Sequence, residues 1–119
     1  MIKTFTLILG IVLLAVGVVG WITGGHDHVL VVFGINMAHN IVHILTGLIA
    51  ILAVLGGESY ARIYCIVFGL VYGVVTVMGF INHEAIVGLL NLNMPDNLLH
   101  LAISVACLAV GLAGRSSRA

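Results

Sequence analysis

The chain has 119 residues, of which 62% are hydrophobic and 7% are charged, and its mean hydropathy is +1.31. So few polar side chains cannot cover the surface of a water-soluble globule, which excludes that class of protein. Four basic and four acidic side chains cancel to zero net charge without forming a basic cluster, so nucleic acid is excluded as a partner and the lipid bilayer is the expected one.

Four apolar runs follow one another along the chain, each close to the roughly 20 residues that a helix needs to cross a bilayer. They extend from Thr4 to Ile22, Met37 to Leu55, Ile63 to Ile81 and Leu98 to Leu112. Because a bilayer cannot satisfy backbone polar groups, each run is predicted to be a helix. The sequence therefore predicts an all-α protein, a single membrane domain of four transmembrane helices packed as a bundle.

Polar connections separate the four runs and carry glycine or charge, which end helices. The lone proline, Pro95, lies in the first turn of the fourth helix, a position that proline favours. The first run is expected to be a retained span rather than a cleaved signal.

The cationic side chains predict the orientation, because Lys and Arg near span ends stay on the cytoplasmic side. Lys3, Arg62, Arg115 and Arg118 all agree in placing both termini and the second connection in the cytoplasm. The first and third connections, and with them all six histidines, are then expected in the outer half.

An internal repeat relates the two halves of the chain. The stretch from Asn36 to Ile44 aligns with the stretch from Asn93 to Leu101, with Asn, Met, Asn and His identical. The pattern predicts two tandem two-helix repeats, about 1–57 and 58–119, related by a parallel pseudo-two-fold axis along the membrane normal.

Several short motifs carry a resemblance to a known family. They are Asn40-x-x-His43 with Gly47, Ala61-Arg62, Phe68-Gly69 with Tyr72-Gly73, Gly79-Phe80 and Asp96-Asn97-x-x-His100. The sequence resembles a bacterial family of small four-span membrane proteins known as domain of unknown function 4383. The resemblance implies the four-span fold and a location in the bacterial inner membrane, and it implies no activity.

The repeated Asn-x-x-His motif marks the candidate site. His43 and His100 are expected at equal depth, about 10 Å into their helices. One turn earlier come His39 and Asp96, and one turn deeper come the small residues Gly47 and Ser104. Asn40 and Asn97 lie beside these stripes. The small residues leave space for close helix approach or for a flat ligand.

Three interpretations of this site are open. In the first, the asparagines and histidines hydrogen-bond across the bundle, with Asn36 and Asn93 as helix caps. Alternatively, His43 and His100 are the axial ligands of haem b or a related pigment, supported by Asn40, Asn97, Gly47 and Ser104. In the third, His39, His43, Asp96 and His100 hold a divalent metal such as zinc, with copper as a softer variant that could use Met37 and Met94.

The predicted function is not enzymatic, because the sequence contains no nucleophile beside a base and no phosphate-binding loop. We expect a small membrane protein that acts by associating with itself or with a larger membrane complex. The glycine pairs, such as Gly69 and Gly73, are typical of tight helix packing. Cys65 and Cys107 have no metal or redox spacing and are expected to be small buried residues.

Overall fold

The computed structural model describes residues 1–30 and 33–117, and for residues 114–117 it describes the backbone alone. Two of the four cationic side chains that predict the orientation are not described. Arg118 lies outside the described residues, and of Arg115 only the backbone is described.

Four long helices form the bundle, and two short strands and one short helix complete it. The elements are α1 (Ile2–Thr23), β1 (His28–Leu30), β2 (Phe33–Ile35), α2 (Met37–Gly56), α3 (Glu58–Phe80), α4 (Glu84–Leu90) and α5 (Met94–Ser117). α1, α2, α3 and the Met94–Ala113 part of α5 are each long and apolar enough to span a membrane. At 1.5 Å per residue, the 20 residues of α2 extend about 30 Å, the thickness of the hydrocarbon layer. The predicted all-helical, four-span bundle is confirmed.

Two of these helices begin before their hydrophobic runs. α3 begins at Glu58, ahead of the run that starts at Ile63, whereas α5 begins at Met94, where Pro95 in the first turn and the cap at Asn93 had placed its start. Capping groups and backbone geometry set a helix start, whereas hydropathy marks only the stretch that suits a bilayer. The polar first turn of a helix is therefore invisible to a hydropathy argument.

The bundle buries polar side chains and exposes apolar ones, the reverse of a water-soluble protein. Ile22 and Leu55 are both 78% exposed, whereas Thr6 and Asn40 are buried. A lipid solvent accounts for this arrangement. Exposing apolar side chains to acyl chains costs no free energy, whereas polar groups need hydrogen-bond partners inside the bundle.

Glycines set how closely the helices pair within each half. A Cβ on Gly10 of α1 would lie 2.9 Å from Ala50 Cβ of α2, and a Cβ on Gly69 of α3 would lie 2.8 Å from Leu108 Cγ of α5. The tight helix packing expected of these glycines is therefore an intramolecular one.

The two halves also share one detailed contact. A Cβ added to Gly20 would collide with the Asn40 side chain, and a Cβ added to Gly79 would collide with the Asn97 side chain. Each repeated asparagine thus lies against a glycine of the preceding long helix. The tandem repeat itself stays a prediction, which these matched contacts support.

A cap covers one end of the bundle and was not predicted. It consists of the antiparallel hairpin β1–β2 and the helix α4. Asn91 Nδ2 donates to the carbonyls of His28 and Ile35, and Asn36 Nδ2 donates to the carbonyl of Leu89, which fastens the hairpin side to the α4 side. These elements have three to seven residues, too few for a hydrophobic period to reveal them.

At the opposite end, a single residue separates α2 from α3. Gly57 has φ 121°, a conformation that other residues rarely adopt, so it allows an abrupt reversal there. Glu58 and Arg62 form an ion pair at 3.8 Å at this end of the bundle, the end that the cap does not cover.

Candidate metal centre

Three histidines meet beneath the cap, between α2 and α5. The ring centroids of His39 and His43 are 4.5 Å apart, and those of His39 and His100 are 5.4 Å apart. His43 and His100 complete the triangle at 6.0 Å. One ring nitrogen from each histidine lies within 4.8 Å of those of the other two. The exposed fractions are 1% for His39, 3% for His43 and 2% for His100.

Local helix geometry places these imidazoles. His39 and His43 stand one turn apart on α2, at the i, i+4 spacing that brings side chains together. Asn36 fixes the start of α2, since its Oδ1 accepts the backbone N–H of His39 at 3.0 Å. The N-terminal turn of α5 is fixed in the same way, because Asn93 Oδ1 accepts the N–H of Asp96 at 3.0 Å. Both predicted caps are present.

Five of the six ring nitrogens of these imidazoles are buried without a hydrogen-bond partner among the described residues. Both ring nitrogens of His39, both of His43 and Nδ1 of His100 are buried without one. The backbones of Gly34 and Leu90 lie beside the His39 ring, but no hydrogen bond of good geometry forms. A buried polar group normally has a partner, and leaving one unpaired costs about 1–3 kcal/mol. Neutral imidazole nitrogens can accept a hydrogen bond or bind a metal ion.

Asp96 is placed differently from the three imidazoles. Its Oδ2 accepts the backbone N–H of Asn93 at 3.0 Å, which completes a reciprocal capping box with the Asn93 side chain. The group of ligand atoms within 4.8 Å consists of His39, His43 and His100. The carboxyl group is 1% exposed, and it occupies the face of α5 one turn before His100.

The family of the chain follows from a comparison with known families. Residues 3–113 match the family described as Domain of unknown function (DUF4383). The chain belongs to this family. The resemblance inferred from the Asn-x-x-His motifs is thereby confirmed, and it covers all four long helices of this DUF4383 chain. No curated protein and no solved structure matches the chain.

The two small residues beneath the imidazoles serve close helix approach in this DUF4383 chain. A Cβ on Gly47 would lie 2.7 Å from the backbone oxygen of Gly10, so Gly47 faces α1. Ser104 Oγ donates to the carbonyl of Gly69 at 2.6 Å and joins α5 to α3. The sequence left two uses open for these residues, close helix approach or space for a flat ligand. In the structure they lie at close helix contacts.

Further hydrogen bonds across the bundle involve Thr46, Tyr64 and Tyr72. Thr46 Oγ1 and Tyr72 Oη are 3.0 Å apart, and Tyr64 Oη donates to the carbonyl of Thr46 at 3.0 Å. The Tyr72 ring also lies 5.4 Å from that of His100. Sequence reasoning missed Tyr72 and Thr46, since neither belongs to the repeated motif.

Among the described residues, the group of candidate ligand atoms contains none of the other histidines. His28 uses one ring nitrogen on the carbonyl of His26 at 2.6 Å and the other on Thr23 Oγ1 at 2.9 Å. A Cβ on Gly25 would lie 2.9 Å from the methyl group of Met37, and Met94 is exposed. His28 and Met37 therefore make local contacts near the cap.

Proposed function

We propose that this protein binds a metal ion in the membrane, with one transition-metal ion held by His39, His43 and His100. The observation that carries the proposal is the set of buried imidazole nitrogens without hydrogen-bond partners. Neutral imidazole is the commonest metal ligand, and binding an ion would satisfy one nitrogen of each ring.

The size of the cluster suits an ion. Metal–nitrogen bonds of about 2.0–2.1 Å place neighbouring ligand nitrogens about 3.4 Å apart. The three candidate nitrogens already lie within 4.8 Å of one another, so modest rotation of the rings closes the difference. The backbones of Gly34 and Leu90 lie beside His39. Backbone carbonyls often orient a histidine ligand by accepting the N–H of the ring nitrogen that does not bind the metal.

The geometry favours an ion over haem. His43 and His100 would have to face each other across the macrocycle, but the His39 ring lies 4.5 Å from one and 5.4 Å from the other. A porphyrin between the two rings would have to displace His39. Gly47 and Ser104, the residues that would make room, already contact neighbouring helices.

The test is elemental analysis of the protein purified in detergent from its native membrane. We expect about one transition-metal ion per chain, and loss of that ion in His39→Ala, His43→Ala and His100→Ala. His83→Ala is the matched control, because His83 is exposed and belongs to the connection before α4.

Circular dichroism and size-exclusion chromatography show whether each variant is folded. A folded, metal-free wild type that takes up no ion when dialysed against Zn²⁺, Cu⁺ or Ni²⁺ would overturn the proposal. A visible absorption spectrum of the same sample tests the alternative, because a Soret band lost in His43→Ala would establish haem instead.

We also propose a location and an orientation for the protein. We place the protein in the bacterial inner membrane with both termini cytoplasmic, so that the cap and the histidines lie on the outer side. Lys3 and Arg62 support this orientation, since Arg62 lies at the uncapped end. The proposed repeats, 1–57 and 58–119, then each contribute one long helix to the metal centre.

A second proposed function is association with a second copy of the chain. A groove of about 500 Å³ runs between α3 and α5, and it is lined by Gly69, Leu70, Gly73, Val74, Val77, Met78, Ser104 and Leu108. Small residues on a lipid-facing groove allow another helix to approach closely.

The association is tested by cross-linking in liposomes. Val74→Trp should lower the dimer fraction because it fills the groove, while Val18→Trp on the exposed face of α1 should leave it unchanged. A wild type that stays monomeric at high protein-to-lipid ratio would contradict it. Association with a larger membrane complex would appear as co-purifying proteins.

A further inference from the structure

We infer that the ion held by His39, His43 and His100 is monovalent copper rather than a divalent metal. The inference rests on the proposed metal site and concerns the charge and coordination number of its ion. Three features of the structure carry it: the charge of the ligands, their number, and the position of the nearest buried carboxyl group.

The ligands bring no negative charge to the ion. Among the described residues, the group of candidate ligand atoms contains three imidazoles and no thiolate or carboxylate. The free energy of moving an ion from water into an apolar medium grows with the square of its charge. A divalent ion with only neutral ligands therefore costs about four times as much to bury as a monovalent one of the same size.

The number of ligands points the same way. Zinc in proteins takes four ligands in a tetrahedron, and a three-histidine zinc site completes its shell with water. The hydroxyl of Tyr72, whose ring lies beside that of His100, is already engaged with Thr46 at 3.0 Å. Copper accepts imidazole ligands, and monovalent copper is stable with three ligands in one plane.

One carboxyl group balances the remaining charge. Asp96 is buried on the same face of α5 as His100, one turn closer to the cap, and its Oδ2 is held by the N–H of Asn93. An ionised Asp96 and one monovalent ion sum to zero. A divalent ion would leave one positive charge uncompensated beside an apolar solvent.

The experiment titrates the full-length protein in detergent with the two ions separately. Cu⁺ is added without oxygen in competition with a chromophoric copper chelator, and Zn²⁺ is added in competition with a chromophoric zinc chelator. We expect one tightly held Cu⁺ per chain and no stoichiometric Zn²⁺. X-ray absorption at the copper edge should show three nitrogen ligands.

Variants locate the bound ion. Stoichiometric Cu⁺ binding should be lost in His43→Ala and kept in His83→Ala. His43→Asn serves as a second variant in case His43→Ala does not fold. It keeps a polar side chain in the bundle and cannot complete the three-imidazole set. Circular dichroism reports folding in each case.

The outcomes separate the two proposals. If Zn²⁺ binds stoichiometrically through the three histidines and Cu⁺ does not, the inference of monovalent copper is overturned while the metal site stands. If the folded wild type binds neither ion, both proposals fail. If Cu⁺ binds equally well to the folded His43→Asn variant, the ion belongs elsewhere and the inference fails.

Discussion

At the scale of single residues, two glycines and two asparagines decide how closely the helices of each half approach. Gly20 and Gly79 face Asn40 and Asn97, and in both cases the position of a Cβ is occupied by the amide side chain. Asn40 Nδ2 and Asn97 Oδ1 are themselves buried without hydrogen-bond partners. These amides therefore lie at a contact that tolerates no added atom.

Gly20→Ala and Gly79→Ala should each destabilise the protein. Overpacking a filled contact typically costs about 1–3 kcal/mol, and both substitutions add a methyl group where no space exists. Thermal unfolding in detergent, followed by circular dichroism, measures the effect. Gly88→Ala is the control, because nothing lies within 4 Å of its Cβ position. Equal stability of Gly20→Ala and wild type would show that Asn40 moves aside freely.

Asp96 provides the sharpest residue-scale test of the ligand set. Asp96→Asn keeps an oxygen that can accept the N–H of Asn93, so the capping box and the fold should survive. Metal stoichiometry should therefore stay at one, with weaker affinity because the negative charge is gone. Complete loss of the ion from a folded Asp96→Asn variant would return Asp96 to the ligands, as the sequence had predicted.

At the scale of elements, the hairpin β1–β2 and the helix α4 of the cap both lie beside His39. Gly34 of β2 is closely packed. A Cβ added to it would collide with the Asn91 carbonyl oxygen and would lie 3.2 Å from Asp96 Oδ2. Its backbone also lies beside His39. Through Gly34, the hairpin therefore packs both on the start of α5 and on His39.

Gly34→Ala should loosen this contact and expose His39. If overpacking costs the cap about 1.4 kcal/mol, opening becomes about tenfold more frequent. Modification of His39 by diethylpyrocarbonate, followed by peptide mass spectrometry, should accelerate to that extent. Val29→Ala, at an exposed position of β1, should leave the rate unchanged. An unchanged rate in Gly34→Ala would mean that ligands enter the site by another path.

At the scale of the whole molecule, the cap makes the two ends of the bundle different. The end with the hairpin and α4 carries the exposed His26 and His83, the partly exposed His28 and the acidic Asp27 and Glu84. The other end has the short α2–α3 junction with its ion pair. A bundle with such unequal ends has one definite orientation in a membrane.

Cysteine labelling determines that orientation. In intact cells, a membrane-impermeant maleimide should label Asp27→Cys and Glu84→Cys, whereas Ser59→Cys should react only after lysis. Cys65 and Cys107 are buried and should contribute little background. Labelling of Ser59→Cys alone in intact cells would reverse the proposed topology.

Sequence by itself determined the four spans, the helix caps at Asn36 and Asn93 and the neighbouring positions of His39 and His43. These features are local, because they depend on the hydropathy of about 20 residues, on a side chain three positions from an N–H, or on one helical turn. The internal repeat also predicted that His43 and His100 lie at equal depth, whereas only the tertiary structure showed that the ligand atoms of the three imidazoles lie within 4.8 Å of one another and that Asp96 completes a cap. It also decided that Gly47 and Ser104 are taken up by neighbouring helices. Those outcomes depend on which helix faces meet, and residues distant in sequence carry no local pattern that records such a meeting.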